Sequence, residues 1–338
     1  MIRTTVVGSW PPAQTFAEEL QRYHHGALPA HEVESFLKEV AATAIQQQRA
    51  CGLDEYTGGE TSADSFILHF PRVLSGIEPT ENRKAWDNRG TYRLVGRLGA
   101  PQGLGIASAY QRERALDPAI QKVTIPGPSE IIMMIELGED RQAVLSAATE
   151  LIRAEIQACI ALGATDIQLD LPHVAMALVD DEEWDTQSAT EVIKTIFANV
   201  KGIRRSIHFC YGDFGAQTWT TNRNFHALLP TIQALDGIID RVVLEFSLPE
   251  QWAERALLAE VPASMEVAAG IVDVKSPVVE SPEEIVEKID QLLAYVPANR
   301  LLICPSCGFG RRNEEMALQK TASMVKAVAL ANTMVDQG

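Results

Sequence analysis

The feature that most constrains this chain is alternation. Short β-branched runs that end in Gly, Pro or polar residues are followed by longer helical patterns. The runs are TTVVG (4–8), DEYTG (54–58), KVTIP (122–126), DIQLD (166–170), SIHFCY (206–211), RVVLEF (241–246), MEVAAGIVDV (265–274) and RLLIC (300–304). Between them, AHEVESFLKEVAATAIQQQRACG and DRQAVLSAATELIRAEIQACIALG carry apolar residues at three-to-four spacing and end in Gly. SPEEIVEKIDQLLAYV opens with a Ser cap, then Pro and two Glu in the first turn. Eight strands alternating with helices predict an α/β chain folded as a single (β/α)8 TIM barrel across 1–338. The stretch 62–120 is too long for one crossover and predicts an insertion after the second strand. It is expected to hold an extra helix (SADSFILHFPRVLSG) and an excursion over 84–118, read as a hairpin or arm near the barrel mouth. An open doubly wound sheet fits less well, because no glycine-rich phosphate loop follows the first strand.

Charge and cysteine usage exclude several classes of function. The formal net charge is -16, whereas nucleic-acid and anionic-membrane partners require a basic footprint. The five cysteines, Cys51, Cys159, Cys210, Cys304 and Cys307, are too sparse for a disulfide framework. No signal peptide and no apolar run of membrane-spanning length is visible, so a cytoplasmic enzyme is expected.

Chemistry in a barrel sits at the C-terminal ends of the strands. The polar and sulfur-bearing residues at those ends are Ser9, Glu60, Asp170, His208, Cys210, Glu245, Lys275 and Cys307. Residues two apart on a strand share a face, so His208 and Cys210 can converge on one ion while Phe209 points away. With Glu245, set in an otherwise apolar run, and Cys307, they offer an imidazole, two thiolates and a carboxylate. That donor set suits zinc. Blander readings stand beside it. His208 can be a satisfied core histidine and Cys210 a small buried hydrophobe. Glu245 can pair with Arg205 or Arg241, and Cys304/Cys307 is a CxxC of low specificity.

In order along the chain, TTVVGSW, GGE, QLDLP, HFCYGDF, LEF, DVKSP and CPSCGFGRR resemble the C-terminal catalytic barrel of the cobalamin-independent methionine synthase family. The resemblance implies zinc on His208, Cys210, Glu245 and Cys307. It implies homocysteine held by Val7, Ser9, Glu60 and Asp170, with the ammonium between the two carboxylates. Lys275 stands where the family's D-x-H-S-P motif has histidine, and is a candidate proton donor or merely a partner of Asp273 or Asp170. Met134 stands where the folate-dependent members place a pterin-stacking tryptophan. These departures point to the short single-barrel members and to a non-folate methyl donor, such as a methylcorrinoid protein. Relatives that alkylate coenzyme M are an alternative, with Arg311 and Arg312 as the basic feature. A uroporphyrinogen-decarboxylase-like barrel without metal is another.

Overall fold

The computed structural model describes residues 1–62, 69–83, 90–137, 141–180, 185–213, 220 and 222–335. Its central feature is a seven-stranded parallel sheet built from β1 (Arg3–Thr4), β4 (Lys122–Pro126), β6 (Asp166–Asp170), β7 (Arg204–Phe209), β8 (Arg241–Glu245), β9 (Glu266–Val272) and β10 (Leu301–Pro305). The order across the sheet is β1-β10-β9-β8-β7-β6-β4. The remaining strands, β2 (Ser75–Arg83), β3 (Gly90–Gly99) and β5 (Ile135–Glu136), form a separate three-stranded sheet.

Every residue of β4, β6, β8 and β10 is buried, as expected for parallel strands covered on both faces. Strand alternation divides the apolar residues into two clusters. Val7, Val243, Ala268, Leu302 and Cys304 pack together on the inner face. Their neighbours Val242, Leu244, Val267, Ala269, Leu301 and Ile303 face the helices. The sheet is curled, and a side chain spans between its two edges. From the β4 edge, Lys122 Nζ donates to the carbonyl of Val6 at 2.5 Å, just past β1. The ends of the chain are stitched together as well. Asn332 exchanges hydrogen bonds with both the N–H and the carbonyl of Ile2, at 2.8 and 2.9 Å.

The expected second strand, 54–58, is reduced to one parallel bridge, Thr5 with Glu55. Just past the run, Gly59 (φ +83°) and Glu60 (φ 56°) turn the backbone into the left-handed region. The expected helix over 62–76 is also corrected. Among the described residues of this stretch Phe70–Val73 alone is helical and a strand begins at Ser75; 63–68 lie outside the described residues. A hairpin is present, β2 antiparallel to β3, but its first strand lies before the expected excursion of 84–118 and only β3 falls inside it; 84–89 between them lie outside the described residues. The second half of the excursion is different: the helix Ile106–Leu116 joins the outer layer beside the helices Ala30–Ala50 and Arg141–Ala161. The predicted helix after Ser281 forms over Pro282–Leu293. Ser281 and Glu284 close a reciprocal capping box there. No described helix is long and apolar enough to cross a membrane.

Candidate metal centre

At the C-terminal end of the sheet, one ring nitrogen of His208 and the sulfurs of Cys210 and Cys307 all lie within 4.8 Å of one another. His208 and Cys210 share the inner face of β7 and its extension, and Phe209 packs outward among the helices. Cys307 arrives from the loop after β10. That loop is held close by two glycines: a Cβ at Gly308 would lie 2.1 Å from Ser9 Oγ, and one at Gly310 would lie 2.9 Å from Ser9 Cβ. Ser9 Oγ accepts the Gly310 N–H at 3.2 Å, and the Ser9 carbonyl accepts from Phe309 N–H at 2.9 Å. Arg312, next in this loop, pairs with Asp213 of the loop after β7. The loops bearing Cys210 and Cys307 are thereby joined by an ion pair.

The donor set fits a metal ion. The sulfurs of Cys210 and Cys307 stand 3.9 Å apart. Two thiolates on one tetrahedral zinc, each bonded at about 2.3 Å, would be roughly 3.8 Å apart. His208 Nδ1 lies 3.1 Å from Asp170 Oδ1, the contact by which a carboxylate fixes the tautomer of a ligating imidazole. His208 Nε2 is buried and has no hydrogen-bond partner among the described residues. An orphaned buried nitrogen is costly unless something else satisfies it. Burial opposes charging of the imidazole, but the hydrogen bond and charge of Asp170 outweigh it and hold its pKa above the usual histidine value. The two thiols are unequal: the S–H···S contact raises Cys210 and lowers Cys307, with the Lys275 charge also favouring the Cys307 thiolate.

The other predicted residues fall around this group. Glu245 ends β8 on the inner face but lies outside the three-residue cluster. Its Oε1 accepts from Lys275 Nζ at 2.7 Å and its Oε2 from Tyr211 N–H at 3.1 Å. The arginines that the sequence offered as its partners are engaged elsewhere: Arg205 with Asp240, and Arg241 with Glu55, Asp166 and Glu266. Lys275 pairs with neither Asp273 nor Asp170 through its side chain. Glu245, Cys307 and Cys210 together overcome burial and raise its pKa, which makes it a weaker acid than a free lysine. Glu60 Oε1 accepts from Thr124 Oγ1 at 2.6 Å. Burial, then the negative charge of Asp170, push its pKa up to about 7. The Val7 carbonyl is taken by Gln168 Nε2 at 2.9 Å, and the same amide donates to Asp170 at 2.7 Å. Met134, at 1 % exposure, presents no surface to a donor, so its identity does not discriminate between donors. The CxxC cysteines part company. Cys304 packs in the inner cluster, where burial pushes its thiol up to about 12.

Sequence reasoning missed Gln168, the Asp213–Arg312 pair and Glu113. Gln168 was accessible, being two residues before Asp170 and so on the same face. Glu113 projects from the helix Ile106–Leu116 into a cleft of about 80 Å³ that Glu60, Phe70, Tyr110 and Thr124 also line. A Cβ at Gly58 would lie 1.8 Å from its carboxyl carbon, so glycine there makes the approach possible. Burial pushes the Glu113 carboxyl up to about 7.

Fold and site together define a parallel α/β protein with one imidazole and two thiols, a donor set that fits a metal ion, gathered at the C-terminal ends of its strands. The chain belongs to the family described as "Cobalamin-independent synthase, Catalytic domain", whose profile matches residues 2–330. It is 24% identical over 343 residues to the methionine synthase of Sulfolobus acidocaldarius, covering 98% of this chain and 92% of that one. It is 25% identical over 341 residues to the methionine synthase of Pyrococcus abyssi, covering 100% and 95%. The 5-methyltetrahydropteroyltriglutamate–homocysteine methyltransferase of Photobacterium profundum is 25% identical over 338 residues, covering 97% of this chain but 42% of that one. In fold, the chain is similar to a B12-independent methionine synthase from Shewanella sp. W3-18-1 in complex with selenomethionine. The TM-score is 0.83 at 19% identity, with 100% of both chains covered. A putative vitamin-B12-independent methionine synthase from Listeria monocytogenes gives 0.70 at 20% identity, with 99% of both covered. The expectation of a methyltransferase of this family is borne out. The expected methylcorrinoid donor finds no support, since the family and both of these structural neighbours are described as independent of cobalamin.

Proposed function

We propose that this protein transfers a methyl group to the thiol of homocysteine, forming methionine, at a zinc ion held by His208, Cys210 and Cys307. The observation that carries the reading is the convergence of those three donors around a buried imidazole nitrogen with no partner of its own among the described residues. Zinc, when bound, supplies a thiolate at neutral pH, where a free thiol is mostly protonated and unreactive. Glu245 is the carboxylate within the site's reach, although Lys275 holds it.

The chain's own residues would do the rest. Asp170 orients His208 and, with Glu60, makes a pair of carboxylates that favours a cation. The α-ammonium of homocysteine supplies that cation, and Ser9 and the Val7 backbone flank it. A sulfonate such as that of coenzyme M is disfavoured, because Lys275 and Arg312 are already paired with Glu245 and Asp213. The donor we favour is a methylated tetrahydropteroyl compound, as the name of the Photobacterium relative states for that enzyme. We further infer that the segment 54–58 completes a closed (β/α)8 barrel as its second strand. Residues 1–338 would then form one catalytic domain, with the hairpin β2–β3 inserted after that strand. Five free cysteines suit a reducing cytoplasm.

The test is methionine formation from homocysteine by the zinc-loaded chain, with methyltetrahydropteroyltriglutamate and methylcobalamin assayed in parallel. Turnover with the folate alone is expected. Turnover with methylcobalamin alone overturns the donor, and turnover with neither overturns the reaction.

A further inference from the structure

Glu113 is a buried carboxyl that the reading above leaves without a task. It is 9 % exposed and lines the same cleft as Glu60. Among the described residues nothing donates a hydrogen bond to it, and the one charge that opposes its burial is Arg112, its neighbour in the chain. Arg112 is itself paired with Glu34 at 3.1 Å. Both carboxyls sit in spaces left by glycines. A Cβ at Gly58 would lie 1.8 Å from Glu113 Cδ, and one at Gly8 would lie 2.3 Å from Glu60 Oε1. The other titratable groups around the cleft do not answer the two carboxyls. Lys122 donates to the Val6 carbonyl, and His69 Nε2 lies 2.9 Å from the Leu104 carbonyl. Arg49 and Arg114 are held by Asp117 and by the Ile120 carbonyl. Glu155 accepts from the N–H groups of Leu104 and Ala107. Burial pushes the Cys159 thiol up to about 12 and raises the Tyr110 phenol, so both stay neutral.

We propose that Glu113 is a positioning residue that backs Glu60 from the cleft side, so that the site selects a thiol that carries an ammonium. This rests on the reading of Glu60 as a carboxylate that meets the homocysteine amine. The argument is electrostatic. Two buried carboxylates with no cation between them repel each other and hold protons instead. Burial takes Glu113 up to about 7, and its negative charge is among the causes that raise Glu60. An ammonium set against Glu60 relieves that repulsion, and both carboxylates then favour it. A thiol that lacks the amine leaves the repulsion in place. Thr124 Oγ1 fixes Glu60 Oε1, so Glu113 acts on a carboxyl that is already held in position. The effect is graded by pH. Below about 7 Glu113 is mostly protonated and silent, and above it the ionised carboxylate adds its charge.

The test is calorimetric titration of the full-length, zinc-loaded protein with homocysteine and with 4-mercaptobutanoate, which keeps the thiol and the carboxylate and lacks the amine. Each titration is run at pH 6 and at pH 8. Glu113→Gln should weaken homocysteine roughly three- to tenfold at pH 8, the scale of one nearby charge, and change it little at pH 6. The binding of 4-mercaptobutanoate should not weaken at either pH. Equal weakening of homocysteine at both pH values, or equal weakening of both thiols, marks a purely structural role and overturns the proposal. Unchanged homocysteine affinity at pH 8 overturns it as well. Glu60→Gln separates the proposal from the reading beneath it. That variant should weaken homocysteine at pH 8 by more than Glu113→Gln does. If it leaves homocysteine affinity unchanged, the assignment of the amine site itself is overturned.

Discussion

The two ends of the parallel sheet both carry charged and polar side chains and use them in opposite ways. At the N-terminal end, residues that open successive strands neutralise one another. Arg241, with a fully buried side chain, bonds Glu55 at 2.6 and 2.9 Å, Glu266 at 3.0 Å and Asp166 at 3.2 Å. Arg204 reaches the same three carboxylates, and Arg3 reaches Glu55 and Glu266. The Arg241 hydrogen bond and charge outweigh burial and lower the Glu55 pKa. At the C-terminal end, Glu60 and Glu113 are pushed up to about 7, and His208 Nε2 lacks a partner among the described residues. One end neutralises its charges in a single network, whereas the other sets ion pairs such as Glu245–Lys275 and Arg312–Asp213 beside carboxyls of raised pKa and an imidazole nitrogen without a partner among the described residues. In a fold of this kind, the balance of satisfied and unsatisfied groups separates the end that stabilises from the end that reacts.

That contrast can be broken deliberately. Cys307→Ala should abolish stoichiometric zinc binding and lower methyl transfer by more than the roughly 100-fold that loss of an outer partner costs. Metal analysis and steady-state kinetics check this. Arg241→Met should do the reverse, costing about 3–5 kcal/mol in urea unfolding by removing the fully buried guanidinium from three carboxylates, which are left with the partly exposed Arg204 and Arg3, with zinc stoichiometry retained. Glu113→Gln tests the reactive end as a stability cost. Its carboxyl rises from 4.5 to about 7 on folding, so the wild type loses stability as pH climbs through that window. The amide should gain about 3 kcal/mol at pH 8 and nothing at pH 4, read as paired urea curves. Asp170→Asn should weaken zinc by about 10–100-fold by freeing the His208 ring, measured by chelator competition. If Asp170→Asn instead destabilises the apo protein as much as Arg241→Met does, the division between the two ends is wrong.

Most of the strands were legible because buried parallel strands are written as continuous apolar runs. KVTIP and DIQLD match β4 and β6 residue for residue. The hairpin was harder, since SGIEPTENR in β2 is largely polar and half-exposed, with a proline inside. Its pairing with β3 gives it order that no local pattern announces. In the site, the two-residue period correctly placed His208 and Cys210 on one face. Pairings between distant segments were not legible. Nothing in LEF or DVKSP says that Glu245 and Lys275 meet, because that depends on how loops after neighbouring strands fold over the sheet. The same holds for Glu113, whose route to Glu60 exists only because residue 58 lacks a side chain.

The stitching of Ile2 to Asn332 and the pairing of β1 with β10 have a consequence for biosynthesis. β1 has Glu55 as an early partner, but its strand neighbour β10 is made only about 300 residues later, and separations of this length slow folding. Because Ser9 also braces the loop bearing Cys307, a nascent chain lacking its last segment has neither the closing strand nor the second thiol. Tight metal uptake would then report on delivery of the loop after β10, and fragments stalled before it would meet the ion with one thiol fewer.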